Sequence, residues 1–453
     1  MSLVFIGTYG EKLGHVDGKG KGVYALRFDR QRLNFAPSQG FLGQAQLGSL
    51  CRNPTYLASH RDEGSGELHL YVVDEREDGA GTIVAARVDE ATGELQPIGS
   101  PISANDLHDA ATACCYVAVS PGGQHVLAAN YLGGSVCAIA RLSDGSLDAN
   151  GVQYVHLPPA SHPVNYPLST ADRQDKAHAH MALLSHGSEC STLLVPDLGS
   201  DVVWSLRYEP MAAAQPLGPP MPTAVHEATS GGGPRHVALH PSAPVAYVGY
   251  ELSSLVGAFG VDPRTGGLVG PLLSLTNVLD GVPAPFLGVS TDAPTAVKDG
   301  TAHGALAAEY RARLRPDENE ARRQLQPNAR RHVCDWHETS IAALRVTDDG
   351  GHLVVSSRLV GAPGSLSAIA LEPSGAFAVD VPVAITSTLG RTPRDFVLLP
   401  PTKDANQPIE QTLALVANQD SDDFAILCAG RPPAQLFSTP KVPTPVCLCF
   451  APP

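Results

Sequence analysis

An all-β fold, built from one hairpin unit repeated around a ring, is predicted by three observations. A single grammar recurs along the chain: a polar or small start, an apolar strand, a turn, a second apolar strand and a polar end. Each end of the chain carries a strand with no sequence neighbour to pair with. The 44 glycines and 39 prolines in 453 residues supply the turns that many short strands need. Hydrophobic residues, at 43%, suffice for a substantial core.

Taken in order, the elements run as follows. LVFIGTYG, at the start, has the form of a second strand lacking a first. RNPTYLASH leads to LHLYVVDE, which ends on Asp74 and Glu75. TACCYVAVSPGGQHVLAANYLGGSV ends its second strand on Asn130 and Tyr131. KAHAHMALLS leads to STLLVPDLGSDV. GGGPRHVALHPSAPVAYVGYELSS ends on Glu251, and TSIAALRVTDDGGHLVVSSR ends on Ser357 and Arg358. RTPRDFVLLP leads to LALVANQDSD, ending on Asn418 and Gln419. These are six complete hairpins; PTPVCLCFAPP is a seventh first strand, and LVFIGTYG is the partner it lacks. Several units add further strands, as in GSVCAIARLSDGSL and SDVVWSLRYE. Four-stranded sheets repeated radially around a channel make a β-propeller, which protects most strand edges. The expectation is therefore one domain, residues 1–453, forming a seven-bladed β-propeller closed by pairing of its N- and C-terminal strands. First strands start near residues 54, 114, 177, 234, 341, 393 and 445, and only the gap from 234 to 341 is about double. An insertion at about 285–337 fills it, rich in Ala, Arg and Glu and partly helical by propensity. It reads as a surface decoration, with a lid as the alternative.

Charge and cysteine usage narrow the function classes. The net charge of −14 argues against nucleic acid, which needs a basic face, yet leaves room for a local basic pocket. No apolar run reaches the roughly 18 residues of a membrane span, so no membrane partner is expected. Nine cysteines at scattered spacings suggest free thiols in a reducing compartment, hence a cytoplasmic location. The adjacent Cys114 and Cys115 read as core filler.

In an antiparallel hairpin the start of the first strand and the end of the second lie on the same side. Across seven blades these positions converge on one mouth of the channel. His178, Arg235, Glu251, Arg358 and Arg394 all occupy such ends, and unpaired burial of these groups would be costly. Convergence lets them satisfy one another and present a cationic pocket for a small anion. His180 shares a strand face with His178 at a period of two, and Glu75, Asn130 and Gln419 stand on the same rim as expected substrate contacts. The plainer readings are that an inward histidine is structural, and that the segments at Asn130–Gly134 and Asp197–Asp201 are turn formers. His332, Cys334, His337 and Glu338 are metal-ligand types, but their spacing fits no standard zinc site. No metal or cofactor is expected, and no phosphate loop, nucleophile elbow or paired C-x-x-C is present.

Read in order, VLAANYLGGSV, DRQDKAHAH followed by VPDLGSDVV, GGGPRHVALHP followed by YELSS, and the final VANQDSD resemble the lactonase family of seven-bladed propellers. That family includes cycloisomerase-type 6-phosphogluconolactonases and a fungal 3-carboxy-cis,cis-muconate lactonising enzyme. The resemblance implies a catalytic set of His178, Arg235, Glu251 and Arg358, with His178 or Glu251 as acid or base, Arg235 at the oxyanion, and Arg358 and Arg394 on the substrate's anionic group. It implies hydrolysis of a sugar lactone, 6-phosphogluconolactone first. Lactonisation of a carboxylated muconate and a non-enzymatic propeller binding a metabolite or protein are the alternatives. The sequence departs from the family's pattern where a carboxylate is missing near Ala343 and where Ser357 replaces an asparagine.

Overall fold

The computed structural model describes residues 2–29, 34–35, 41–78, 81–106, 113–158, 173–212, 214–223, 231–279, 339–359, 363–378, 380–399, 412–428 and 441–452. The insertion at 285–337, with His332, Cys334 and His337, lies outside them, as does Glu338.

Seven antiparallel sheets form the blades of the propeller. From the channel outwards, blade 1 begins with Pro54–Arg61 and Leu68–Asp74, blade 2 with Cys114–Val119 and His125–Asn130, and blade 3 with Leu183–His186 and Ser191–Asp197. Blade 4 begins with Pro234–Leu239 and Val245–Tyr250, blade 5 with Thr339–Val346 and His352–Leu359, and blade 6 with Pro393–Leu399 and Leu413–Asn418. Blade 7 closes the ring: its innermost strand Pro445–Phe450 pairs with the N-terminal Ser2–Thr8, Gly7 opposite Cys447. Partners so far apart in sequence are held by hydrophobic packing on both sides. One apolar cluster joins Phe5 and Cys447 to Leu70 and Val72 of blade 1, and another joins Ile6 and Leu448 to Leu415 and Ile426 of blade 6. Similar clusters fill the other five junctions between blades.

Deleting residues 2–10 is therefore expected to give an unfolded or insoluble chain. The truncation removes Val4, Phe5 and Ile6, all fully buried, at about 1.5–3 kcal/mol each. It also leaves the ladder edge of Pro445–Phe450 bare. Unchanged solubility and melting temperature on truncation would show that the termini do not close the ring.

Six of the seven innermost strands carry a one-residue β-bulge near their start. The extra residue is Arg235 in blade 4, Arg394 in blade 6, Cys115 in blade 2, Ala342 in blade 5 and Val446 in blade 7. In blade 1 the bulge spans Thr55 and Tyr56. Four of these bulges follow a proline, at Pro54, Pro234, Pro393 and Pro445. Proline has no N–H to give the ladder, so it sits where pairing is about to break. Blade 3 departs from the predicted strand. The ladder starts only at Leu183, and Ala179 makes a single bridge to Asp197. Pro196 of the neighbouring strand has no N–H to offer at the missing step. His180 is thereby placed as the bulge residue of this blade, and its N–H still reaches Pro196 O at 3.0 Å.

Candidate active site

The bulges bring six side chains together at the channel, Thr55, Cys115, His180, Arg235, Arg394 and Val446. A second tier follows from the strand ends. The second-strand residue paired just before the bulge, such as Asp74, Asn130, Asp197, Ser357 or Asn418, is buried. The next residue enters the channel: Glu75, Tyr131, Glu251, Arg358 and Gln419 all line one cavity of about 980 Å³. Tyr9, which follows Thr8 in blade 7, is buried against it.

The structure thus brings His178, His180, Arg235, Glu251, Arg358, Arg394, Glu75 and Gln419 to a single pocket. Asn130 is the exception. Its side-chain amide donates to Ala104 O at 2.7 Å and Ser135 Oγ at 3.0 Å, and its neighbour Tyr131 takes the place expected of it. The error is one residue, and the reason is the alternation of faces along a strand. Cys115 is corrected in the other direction. Cys114 is buried between the blades, but Cys115 occupies the bulge and lines the pocket. Ala343, where the resemblance marks a missing carboxylate, packs between blades 5 and 6, and it is Ala342 that stands at the bulge.

Glu251 is the hub of the charge network. Arg235 Nε lies 2.8 Å from its Oε2, while Arg173 Nη2 and Arg358 Nη2 lie 2.8 and 3.1 Å from its Oε1. Burial pushes its pKa up, but Arg358, Arg173 and Arg235 outweigh this and hold it well below the usual carboxylate range. Arg173 was not singled out by the sequence, although it stands in the quoted DRQDKAHAH; it also donates to Tyr131 Oη at 2.9 Å. Arg235 is only 3% exposed. Burial, reinforced by Arg358 and Arg394 and opposed by Glu251, brings its pKa down to about 10. Its Nη1 donates to Ala342 O and, at 3.1 Å, to His236 Nε2. Among the described residues its Nη2 makes no hydrogen bond.

The glycine run before Arg235 has a local cause. The Asp201 carboxylate accepts the N–H groups of Gly231 at 2.6 Å and Gly233 at 2.8 Å. Both glycines adopt positive φ, 72° and 64°, which other residues resist. Burial raises the pKa of Asp201 to about 6. On the opposite side of Glu251, His178 is held at every polar atom. Its backbone N–H donates to Asp197 Oδ1, Nδ1 faces Tyr131 O at 2.9 Å, and Nε2 faces Asp175 Oδ1 at 2.8 Å. Its ring stacks on Tyr131, with centroids 4.5 Å apart. A Cβ on Gly199 would lie 2.6 Å from His178 Cδ2, so this packing needs glycine there. His180 Nδ1 faces Cys115 Sγ at 3.8 Å. Burial, then Arg235, lowers the His180 pKa well below its usual value, so the ring is neutral at pH 7.

A second charge group forms the other wall. Arg394 Nη2 donates to Tyr9 Oη at 2.9 Å, Nη1 reaches Gln419 Oε1 at 3.4 Å, and the guanidinium lies over the Tyr9 ring. Its carboxylate neighbour Glu75 is 4.0 Å away. Four arginines, Arg173, Arg235, Arg358 and Arg394, thus surround the two buried carboxylates, while Lys19, Arg391, Asp17, Glu77 and Asp420 also line the pocket, in a chain whose net charge is −14. No cluster of three or more metal-ligand side chains occurs among the described residues.

Fold and pocket together define a seven-bladed propeller with an arginine-lined pocket at the mouth of its channel. The sequence profile of the Lactonase, 7-bladed beta-propeller family matches residues 3–292, and the chain belongs to that family. It is 29% identical over 262 residues to 6-phosphogluconolactonase of Bacillus subtilis, covering 58% of this chain. The match spans 63% of that relative's length. Among solved structures, a protein from Bacteroides uniformis superposes with a TM-score of 0.67 at 22% identity, covering 99% of both chains. The periplasmic gluconolactonase of Pseudomonas aeruginosa gives 0.66 at 24% identity, covering 100% of this chain and 99% of its own. These two likenesses establish the fold.

Proposed function

We propose that the protein hydrolyses a small anionic sugar lactone, 6-phosphogluconolactone in the first instance. The observation that carries this reading is the arrangement of Arg173, Arg235, Arg358 and Arg394 around Glu251 and Glu75 at the mouth of the channel. Around the two buried carboxylates guanidinium is in excess, which attracts an anion, and the fork geometry of arginine suits phosphate and carboxylate oxygens.

Opening a lactone needs stabilisation of the tetrahedral oxyanion, an activated water and protonation of the departing ring oxygen. In our reading Arg235 polarises the lactone carbonyl through Nη2, while Arg358 and Arg394 hold the distal anionic group. Glu251, tied to three arginines, is too weak a base to take a proton at neutral pH; it fixes the guanidinium positions. His178, with both ring nitrogens engaged, positions Tyr131 and the loop bearing Arg173. The chemistry so written draws on side chains and water. The cytoplasm is the proposed location, supported by the eight described cysteines, all of them free.

Purified protein mixed with freshly made 6-phosphogluconolactone is expected to consume it faster than the buffer blank, with saturation in substrate. Unphosphorylated gluconolactone should bind more weakly, because it leaves the distal arginines unpaired. A rate equal to the spontaneous blank for both lactones would overturn the reading.

A further inference from the structure

We propose that Glu75 is a catalytic residue, the general base that activates a water held in a small polar cavity beneath the pocket. This rests on the lactone-hydrolase reading above. Glu75 holds in blade 1 the position that Glu251 holds in blade 4, the first residue past the ladder. The two carboxylates differ in their surroundings. Glu251 has three guanidinium partners within 3.1 Å. Glu75 has one, at 4.0 Å, with the Tyr9 hydroxyl as its other polar neighbour. Its Oε2 is buried and carries no hydrogen bond. It is the buried pocket carboxylate left unclamped.

Below the main pocket lies a cavity of about 10 Å³, lined by Glu75, Thr55, His236, Arg235, Cys115 and His180 among others. That is about the space one water occupies by this measure, provided two to four polar partners are present. They are: Thr55 Oγ1, Glu75 Oε2 and His236 Nδ1 are all buried without a hydrogen-bond partner. The tautomer of His236 follows from its neighbour. Arg235 can only donate, so His236 Nε2 accepts and Nδ1 carries the proton. Burial keeps this ring neutral. A water here would accept from His236 Nδ1 and donate to Glu75 Oε2, keeping a lone pair for the substrate. Three buried orphan groups around one cavity have a common cause in such a water.

The step balances. The water oxygen bonds to the lactone carbonyl carbon as Glu75 takes its proton, and the carbonyl electron pair moves to oxygen beside Arg235. The tetrahedral intermediate collapses, the ring C–O bond breaks, and the protonated Glu75 returns its proton to the departing oxygen. The product carboxylic acid then ionises.

The experiment is steady-state kinetics on 6-phosphogluconolactone with Glu75→Gln and Glu75→Ala, alongside the wild-type chain. Activity of the wild type tests the parent reading separately. Glu75→Gln is expected to lower kcat by about 10²- to 10⁴-fold with KM unchanged or lower, since removing a negative charge does not weaken an anionic ligand. Added formate is expected to restore part of the Glu75→Ala rate. If Glu75 merely balanced Arg394, the substitution would change KM and leave kcat within about tenfold; that result overturns the proposal. So would a fall in kcat that formate does not relieve and that accompanies a lower melting temperature.

Discussion

Replacing Glu251 with glutamine is expected to disable the pocket and loosen the fold in one step. The substitution keeps the shape and removes the charge that holds Arg173, Arg235 and Arg358 together. Glu251 and Arg235 are each 3% exposed, so solvent cannot replace the missing partner. Breaking a buried pair by removing one member costs about 3–5 kcal/mol, because the other charge stays behind. Displacement of the guanidiniums by about 1 Å is enough for a loss on the order of 10²-fold in rate. Kinetics and thermal denaturation on the same preparation check both effects. The pH dependence supplies a further mark. The folded pKa of Glu251 is depressed, so its contribution to stability is full above the unfolded value of about 4.3 and is lost as pH falls through the lower folded value. Glu251→Gln should therefore remove part of the stability lost below about pH 4. Wild-type stability and rate in this variant would show that the three arginines do not depend on the carboxylate.

Arg235→Ala is expected to leave a folded but nearly inactive protein. Glu251 keeps Arg173 and Arg358 in this variant, so the network loses one cation and no carboxylate is stranded. What goes is the donor placed for the developing oxyanion, a loss of about 10²- to 10³-fold in kcat. Arg358→Ala is the contrast. If it grips the distal anion equally in ground and transition states, the change falls on KM and spares kcat. Equal effects of the two substitutions on kcat would remove the division of roles between them.

The ring of blades was legible in the sequence because it rests on local chemistry. Alternating apolar strands separated by Gly- and Pro-rich turns declare each hairpin, and the unpaired LVFIGTYG and PTPVCLCF declare the closure. Even the bulges leave a trace, the proline of NPTY, GPRH, TPRD and TPVC, after which a residue turns into the channel. Arg173 and Tyr131 left a weaker one. Tyr131 stands at a strand end beside Asn130, which drew the attention instead, and Arg173 lies before the KAHAH strand, away from the strand ends that mark the site.

By itself, then, the sequence determined the all-β repeat, the seven-fold count, and the arginine-, histidine- and glutamate-bearing strand ends that meet at one mouth. Tertiary structure alone decided what each of those groups is free to do. Whether a carboxylate is clamped, like Glu251, or open, like Glu75, depends on how many cations from other blades lie within about 4 Å. The pairing of His178 with both Tyr131 O and Asp175, and the turning of His180 towards Cys115, depend on a bulge one residue long. A one-residue shift reverses the face of every side chain beyond it. Periodicity therefore fixes which residues reach the channel mouth, while the distances across it, on which charge interactions depend, come from the closed ring.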